Sequence, residues 1–248
     1  MMSAVPSSDP IVLLHGFAGT GATWDAVRAE LDAGRTVHTP DLRGHGRRSA
    51  VRPVSFAGCV ADVLADAPPR FVLGGYSQGG RVALHVALAA PERVSALVLL
   101  ATMAGLEDHE ARAARRRSDT VLALKLQRDG LEAFAADWTT QPLFADDPPA
   151  ARAAQVKDIA RCSADGLAAA LRGIGTGEML PLWDRLGELT MPTTVLVGER
   201  DTKYQALGER LTTLLPDATL TIVPGAGHGL PREAPPAVAA ALAGDAAA

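Results

Sequence analysis

The sequence predicts an α/β fold: a mostly parallel, doubly wound sheet with an inserted helical cap. Three observations carry that expectation. Short, continuous apolar runs alternate with stretches of helical periodicity, as in parallel strands covered by helices on both faces. One apolar run, Phe71-Val72-Leu73, leads through Gly75-Tyr76-Ser77-Gln78-Gly79 straight into a helical stretch, which is the G-x-S-x-G turn in its strand-to-helix setting. Between residues 105 and 186 the alternation stops, over a span too long for a simple connection.

Taken in order, Ile11 to Leu14 reads as a buried strand. The following His15-Gly16-Phe17-Ala18-Gly19-Thr20-Gly21 is too glycine-rich for regular structure and lacks the glycine order of a nucleotide-binding loop. A helix is expected over Thr23 to Leu31, a second strand over Thr36 to Pro40, and a turn-rich loop at Asp41-Leu42-Arg43-Gly44-His45-Gly46. Ser55 can cap a helix running to about Ala65, which Pro68-Pro69 ends. After the serine turn, Val82, Ala83, Val86, Ala87 and Ala90 recur at helical spacing, Pro91 stops the helix, and Ala96 to Leu100 is another buried strand. Residues 105–186 look helical and amphipathic and are expected to form the cap, with 1–104 and 187–248 as the core. The core pattern resumes with a strand over Thr193 to Gly198, a helix over Gln205 to Leu215, a strand over Thr219 to Val223 and a helix near Pro236 to Ala243. An alanine-rich, frayed tail follows.

Composition bounds the partners. A chain of 248 residues holds one large α/β domain with an insertion, and 48% hydrophobic with 21% charged residues describes an ordinary globular protein. A formal net charge of −4 gives no reason to expect nucleic acid or an anionic membrane. Cys59 and Cys162 lie far apart, without metal-ligand spacing, and read as thiols in a reducing compartment. Met1 to Pro10 lacks the features of a secretory signal, and the longest apolar stretch, Val94 to Leu106, is too short to span a bilayer. A cytoplasmic location is expected; oligomeric state is left open.

The chemistry follows from three residues. A serine held at a sharp turn needs a base, and the base needs an orienting acid. Asp201 follows the strand ending Leu196-Val197-Gly198, and His228 follows the last strand in Gly225-Ala226-Gly227-His228. Ser77, Asp201 and His228 therefore each follow a different strand, in the order Ser, Asp, His. The backbone N–H of Gln78 stands at a helix N-terminus, where orphan donors favour developing negative charge. Phe17, in the loop after the first strand, is the expected second oxyanion donor. His38, His45, His85 and His109 read as structural or exposed, with His45 bracing the loop after the second strand.

This arrangement resembles the α/β-hydrolase superfamily throughout. In several segments the chain is also similar to the 2-succinyl-6-hydroxy-2,4-cyclohexadiene-1-carboxylate (SHCHC) synthases of menaquinone biosynthesis. The similar segments are Gly75-Tyr76-Ser77-Gln78-Gly79-Gly80-Arg81, Ala114-Arg115-Arg116-Arg117-Ser118-Asp119, Ala136-Asp137-Trp138 with Gln141-Pro142-Leu143-Phe144, and Gly198-Glu199-Arg200-Asp201-Thr202-Lys203-Tyr204. That family carries out an elimination. The resemblance implies that a proton leaves a ring carbon, pyruvate is expelled and a cyclohexadiene forms, with no metal or organic cofactor. It implies Ser77 as base with His228 and Asp201, charge held by Phe17 and Gln78, and a small-molecule polycarboxylate substrate. Its carboxylates would be clamped by Arg81, Arg115 and Arg161, with Tyr76, Trp138 and Lys203 also lining the pocket. Gln78 stands where the family often has Met, which leaves the backbone donor in place. A serine hydrolase on the same scaffold, an esterase or carbon–carbon bond hydrolase, is the alternative; a non-catalytic ligand-binding protein is the third reading.

Overall fold

The computed structural model describes residues 8 to 244. The readings made for Met1–Ser7 and for the alanine tail after Gly244 lie outside the described residues. Six parallel strands form one sheet in the order β2-β1-β3-β4-β5-β6. They are β1 (Ile11–Leu14), β2 (Val37–His38), β3 (Phe71–Tyr76), β4 (Val94–Leu100), β5 (Thr193–Gly198) and β6 (Ala218–Val223). β1, β3 and β4 are buried along their whole length, which is why they read as continuous apolar runs and do not alternate. Period-2 geometry still sorts their side chains. Leu97 and Leu99 of β4 face one core layer; Ala96, Val98 and Leu100 face the other.

The helices of the core are α1 (Asp25–Glu30), α2 (Phe56–Asp66), α3 (Gln78–Ala89), α7 (Thr202–Leu214), α8 (Leu230–Glu233) and α9 (Pro235–Ala243). Ser55 caps α2, its hydroxyl accepting from Gly58 N at 3.1 Å. Strand order reverses between β1 and β3, so the crevice outside their C-terminal ends is where such a sheet places a ligand.

Between β4 and β5 the chain forms α4 (His109–Trp138), α5 (Pro149–Ile159) and α6 (Ala164–Ile174). Helix α4 is broken at Gly130, whose φ of 81° and ψ of 177° only glycine adopts freely. Helix α4 packs chiefly on α6. The small apolar core of Leu126, Phe134, Ile159 and Leu167 also takes in Ala18 and Phe17 from the loop after β1. The inserted helices therefore rest directly on that loop.

Several sequence expectations are adjusted. The second strand is two residues long, because β2 lies at the sheet edge and pairs only through Val37 and His38 with β1; Pro40 could donate no ladder bond. The first helix starts with a 3-10 turn, Gly21–Trp24. Helix α7 begins three residues earlier than expected. Helix α8, four residues carrying Arg232 and Glu233, has no counterpart among the sequence expectations.

Candidate active site

The turn from β3 into α3 is held by close backbone packing. A Cβ on Gly75 would lie 2.6 Å from Gly79 O and 2.7 Å from Gly80 Cα, and one on Gly79 would overlap Leu14 O. Ser77 has φ 51° and ψ −109°, a positive-φ conformation that costs a β-substituted residue of order 1–3 kcal/mol. Surrounding bonds enforce it: Ser77 N donates to Leu100 O at 2.9 Å, and Thr102 Oγ1 donates to Ser77 O at 2.8 Å. Ser77 occupies the N-cap position of α3, yet its side chain makes no capping bond.

His228 Nδ1–H donates to Asp201 Oδ2 at 2.6 Å, and Nε2 lies 3.3 Å from Ser77 Oγ. The bond to the carboxylate fixes the tautomer that leaves Nε2 to accept from the serine. Asp201 is likewise at an N-cap, that of α7, and likewise caps nothing. Both acid and base are buried. The imidazole sits among three rings, with centroids 4.7 Å from Tyr204, 5.5 Å from Tyr76 and 5.8 Å from Phe144. The three side chains chosen from sequence order are thus brought into one hydrogen-bonded line.

Phe17 and Gln78 line the same cavity as Ser77. The loop carrying Phe17 is anchored by His15, a fully buried ring whose Nδ1–H donates to Gly16 O at 2.8 Å and whose Nε2 accepts from Leu42 N at 3.0 Å. Burial lowers the pKa of both His15 and His45, which favours the neutral form of each ring. His45 stacks edge-on to His15 and Phe17 at 4.9 and 5.8 Å and bonds Arg43 O, the bracing position expected for it. Phe17 meets Phe134 and Trp138 of the inserted helices at 6.1 and 5.3 Å.

The cavity, about 540 Å³, lies between the sheet crevice and α4–α6. Arg81 is buried in its wall, and among the described residues its one side-chain bond runs from Nη1 to Ile174 O at 3.3 Å. Burial lowers its pKa, Tyr204 and Asp119 offset this only in part, and among the described residues no carboxylate is hydrogen-bonded to it. Arg115 pairs with Asp119 at 2.9 Å. The second Asp119 oxygen is buried without a partner, and burial raises that carboxyl's pKa while Arg115 opposes. Lys203 is exposed at the rim, its Nζ 5.5 Å from the Tyr204 ring. Trp138 lines the wall, and its Nε1 is buried away from the cavity without a partner among the described residues. Tyr76 is buried; its phenol is driven far upward by burial and stays neutral.

Arg161 corrects the sequence expectation. Its guanidinium is half exposed, donates to Lys157 O at 3.1 Å, and stands outside the cavity lining. It follows the end of α5. Residues that sequence reasoning missed include Gln155 and Arg232, both lining the cavity, and the buried Asp158. None lies in a motif, so only the fold could find them. Among the described residues, no group of three or more His, Cys, Asp or Glu could hold a metal ion, and no helix is long and apolar enough to cross a membrane. Cys59 and Cys162 are free, and burial pushes both thiols up to about 11.

This sheet, turn and hydrogen-bonded line define the class: the chain belongs to the α/β hydrolase family, whose model matches residues 11–241. Its relatives are more particular. It is 35% identical to the 2-succinyl-6-hydroxy-2,4-cyclohexadiene-1-carboxylate synthase of Klebsiella pneumoniae strain 342, over 94% of this chain and 92% of that one. A Bacillus subtilis strain 168 protein, given the same name provisionally, is 36% identical over 92% of this chain and 87% of its own length. The solved structure of MenH from S. aureus superposes with a TM-score of 0.87 at 29% identity, covering 98% of this chain and 94% of the other.

Proposed function

We propose that this enzyme is an SHCHC synthase-like lyase acting in menaquinone biosynthesis, with Ser77, His228 and Asp201 as its triad. The observation that carries the reading is Arg81, a buried cation with no carboxylate bonded to it among the described residues, in the cavity that also holds Ser77. Burying such a charge is costly, and an enzyme for neutral esters gains nothing from it. A substrate carboxylate supplies the missing partner, and guanidinium forks match carboxylates bidentately. The relatives' names supply the product, SHCHC, and the resemblance to that family implies the pyruvate-bearing cyclohexene precursor as substrate.

In this reading His228, oriented by Asp201, draws the proton from Ser77 Oγ. The serine oxygen then takes the proton from the ring carbon. The C–H electron pair moves into the ring, building the diene, and the bond to the enolpyruvyl oxygen breaks. The departing group leaves with that bonding pair and is protonated to pyruvate, returning the proton removed. The backbone N–H groups of Phe17 and Gln78 hold the negative charge that develops on oxygen, each such donor being worth about a hundred- to a thousandfold in rate. Arg81 and Arg115 from the wall and Lys203 at the rim hold carboxylates, while Tyr76 and Trp138 shape the ring's surroundings.

The test supplies the pyruvate-bearing cyclohexene precursor and follows pyruvate release and diene absorbance together, with a nitrophenyl ester in parallel. Coupled appearance of both products with little ester cleavage is expected. Ester turnover with silence on the precursor would transfer the same site to the hydrolase reading. Failure of a serine-directed phosphonate to label Ser77 would favour a binding protein.

A further inference from the structure

We propose that Arg232 is a further carboxylate-binding residue of this cavity, and that Asp158 of α5 is its positioning residue. The proposal deepens the polycarboxylate reading above and rests on it. It starts from the position that Arg161 leaves empty. A substrate with several carboxylates calls for more than the cations of α3 and α4, and Arg161 stands outside the cavity.

Arg232 lines the cavity four residues beyond His228, with its side chain only 8% exposed. One nitrogen is engaged: Nη2 donates to Asp158 Oδ2 at 3.3 Å and lies 3.5 Å from Thr23 Oγ1. Among the described residues Nε and Nη1 have no hydrogen-bond acceptor, and neither is sealed from the cavity. A buried guanidinium with most of its five donors unused is poised for a planar anion. It lines the same cavity as the reacting serine and Tyr76.

Asp158 is 2% exposed and does not line the cavity. Its carboxylate accepts from the hydroxyls of Thr20 and Thr23, both buried in the core loop after β1, and it faces Arg232 from behind. Four hydrogen-bonding or ionic partners thus share one carboxylate: Thr20, Thr23, Arg232 and, at 4.0 Å, Arg161. That division leaves Arg232 aimed but incompletely neutralised. The lining then holds four cations, Arg81, Arg115, Lys203 and Arg232, against a single carboxylate, Asp119, which Arg115 occupies.

A plain bridge between inserted helices and core makes the opposite prediction for one substitution, and calorimetric titration with tricarballylate reads the difference. Arg232→Met should weaken tricarballylate binding about tenfold or more, the worth of charge-assisted bonds, and Arg232→Lys should fall between. Asp158→Asn keeps the shape and removes the competing charge, so binding should hold or tighten several-fold. If the pair is only a bridge, both substitutions weaken binding alike. Melting temperatures of each variant confirm that folded protein is compared. Equal losses, an unchanged Arg232→Met, or a wild-type protein that ignores tricarballylate would each overturn the proposal. Because this readout needs no turnover, its failure is separable from that of the lyase reading. Turnover of the precursor with unchanged KM in Arg232→Met sinks only Arg232. Loss of tricarballylate binding in Arg232→Met, with wild-type protein that binds it but is silent on the precursor, keeps the anion site and removes the lyase.

Discussion

Ser77 and Asp201 are residue types that helices recruit as N-caps, and both stand at N-cap positions. Neither caps. Asp201 gives its carboxylate to His228 at 2.6 Å, and Ser77 holds a positive-φ conformation that turns its oxygen to the same histidine. The capping energy forgone at each, about 1 kcal/mol, is small beside the catalytic return. Ser77→Ala or His228→Ala should lower turnover by roughly four to six orders of magnitude, with melting temperature nearly unchanged. Retention of a tenth of the activity in either variant would remove the triad from the mechanism. Gly79→Ala should behave differently, because its Cβ would overlap the Leu14 carbonyl. Expression should fall or melting temperature drop by several degrees, whereas an unperturbed melt would show that the β1–α3 contact is loose.

At the scale of elements, the inserted helices are tied to the core by carboxylates, and one of them titrates. Asp147, in the turn before α5, is buried against Glu233 of α8; burial first, then the neighbouring carboxylate, pushes it up to about 7, while Arg232 and Arg200 oppose. Glu233 is itself held by Arg200 at 2.5 Å and by the backbone of Gly227 and Gly229 beside His228. An acid whose pKa rises on folding favours the fold while protonated. Its contribution is present below the ordinary carboxylate range and is lost as pH climbs from about 4 to about 7. Asp147→Asn should therefore melt higher than wild type at pH 8 and lose that advantage near pH 4. Parallel melting curves across the window would mean the carboxyl is solvated in the folded protein. Gly130, where α4 breaks, offers a cleaner backbone test. Nothing lies within 4 Å of a Cβ built there, so Gly130→Ala meets only φ/ψ strain, about 1–3 kcal/mol. A melt unchanged by that substitution would mean the break is not conserved in solution. The boundaries read from sequence hold at β1 and β5, fall two residues short at the start of the buried β4, and drift where an edge strand or a four-residue helix depends on neighbours.

Across the whole molecule, neither layer alone makes the cavity. α3 supplies Arg81, α4 Arg115 and Trp138, α7 Lys203 and α8 Arg232, around a serine held by β3. If the cations serve a polycarboxylate, Arg81→Met should raise KM for the lyase substrate at least tenfold and leave hydrolysis of a neutral ester within about threefold, given the worth of a charge-assisted bond. An equal loss on both would mark misfolding. Much was legible beforehand because it is local: buried strands announce themselves as apolar runs, and the Ser, Asp and His each follow a strand within a few residues. The sequence by itself determined the parallel sheet, the helical insertion and the three side chains that meet at its edge, since short-range periodicity and strand order dictate them. Only the tertiary structure decided which arginines point inward. Arg115, Arg116 and Arg117 are equivalent in sequence, and Arg161 and Arg232 lie in no motif that ranks them. Inward orientation depends on packing between α4, α5 and α8, which are distant in the chain, and a guanidinium's side is settled by the carboxylate or cavity it meets there.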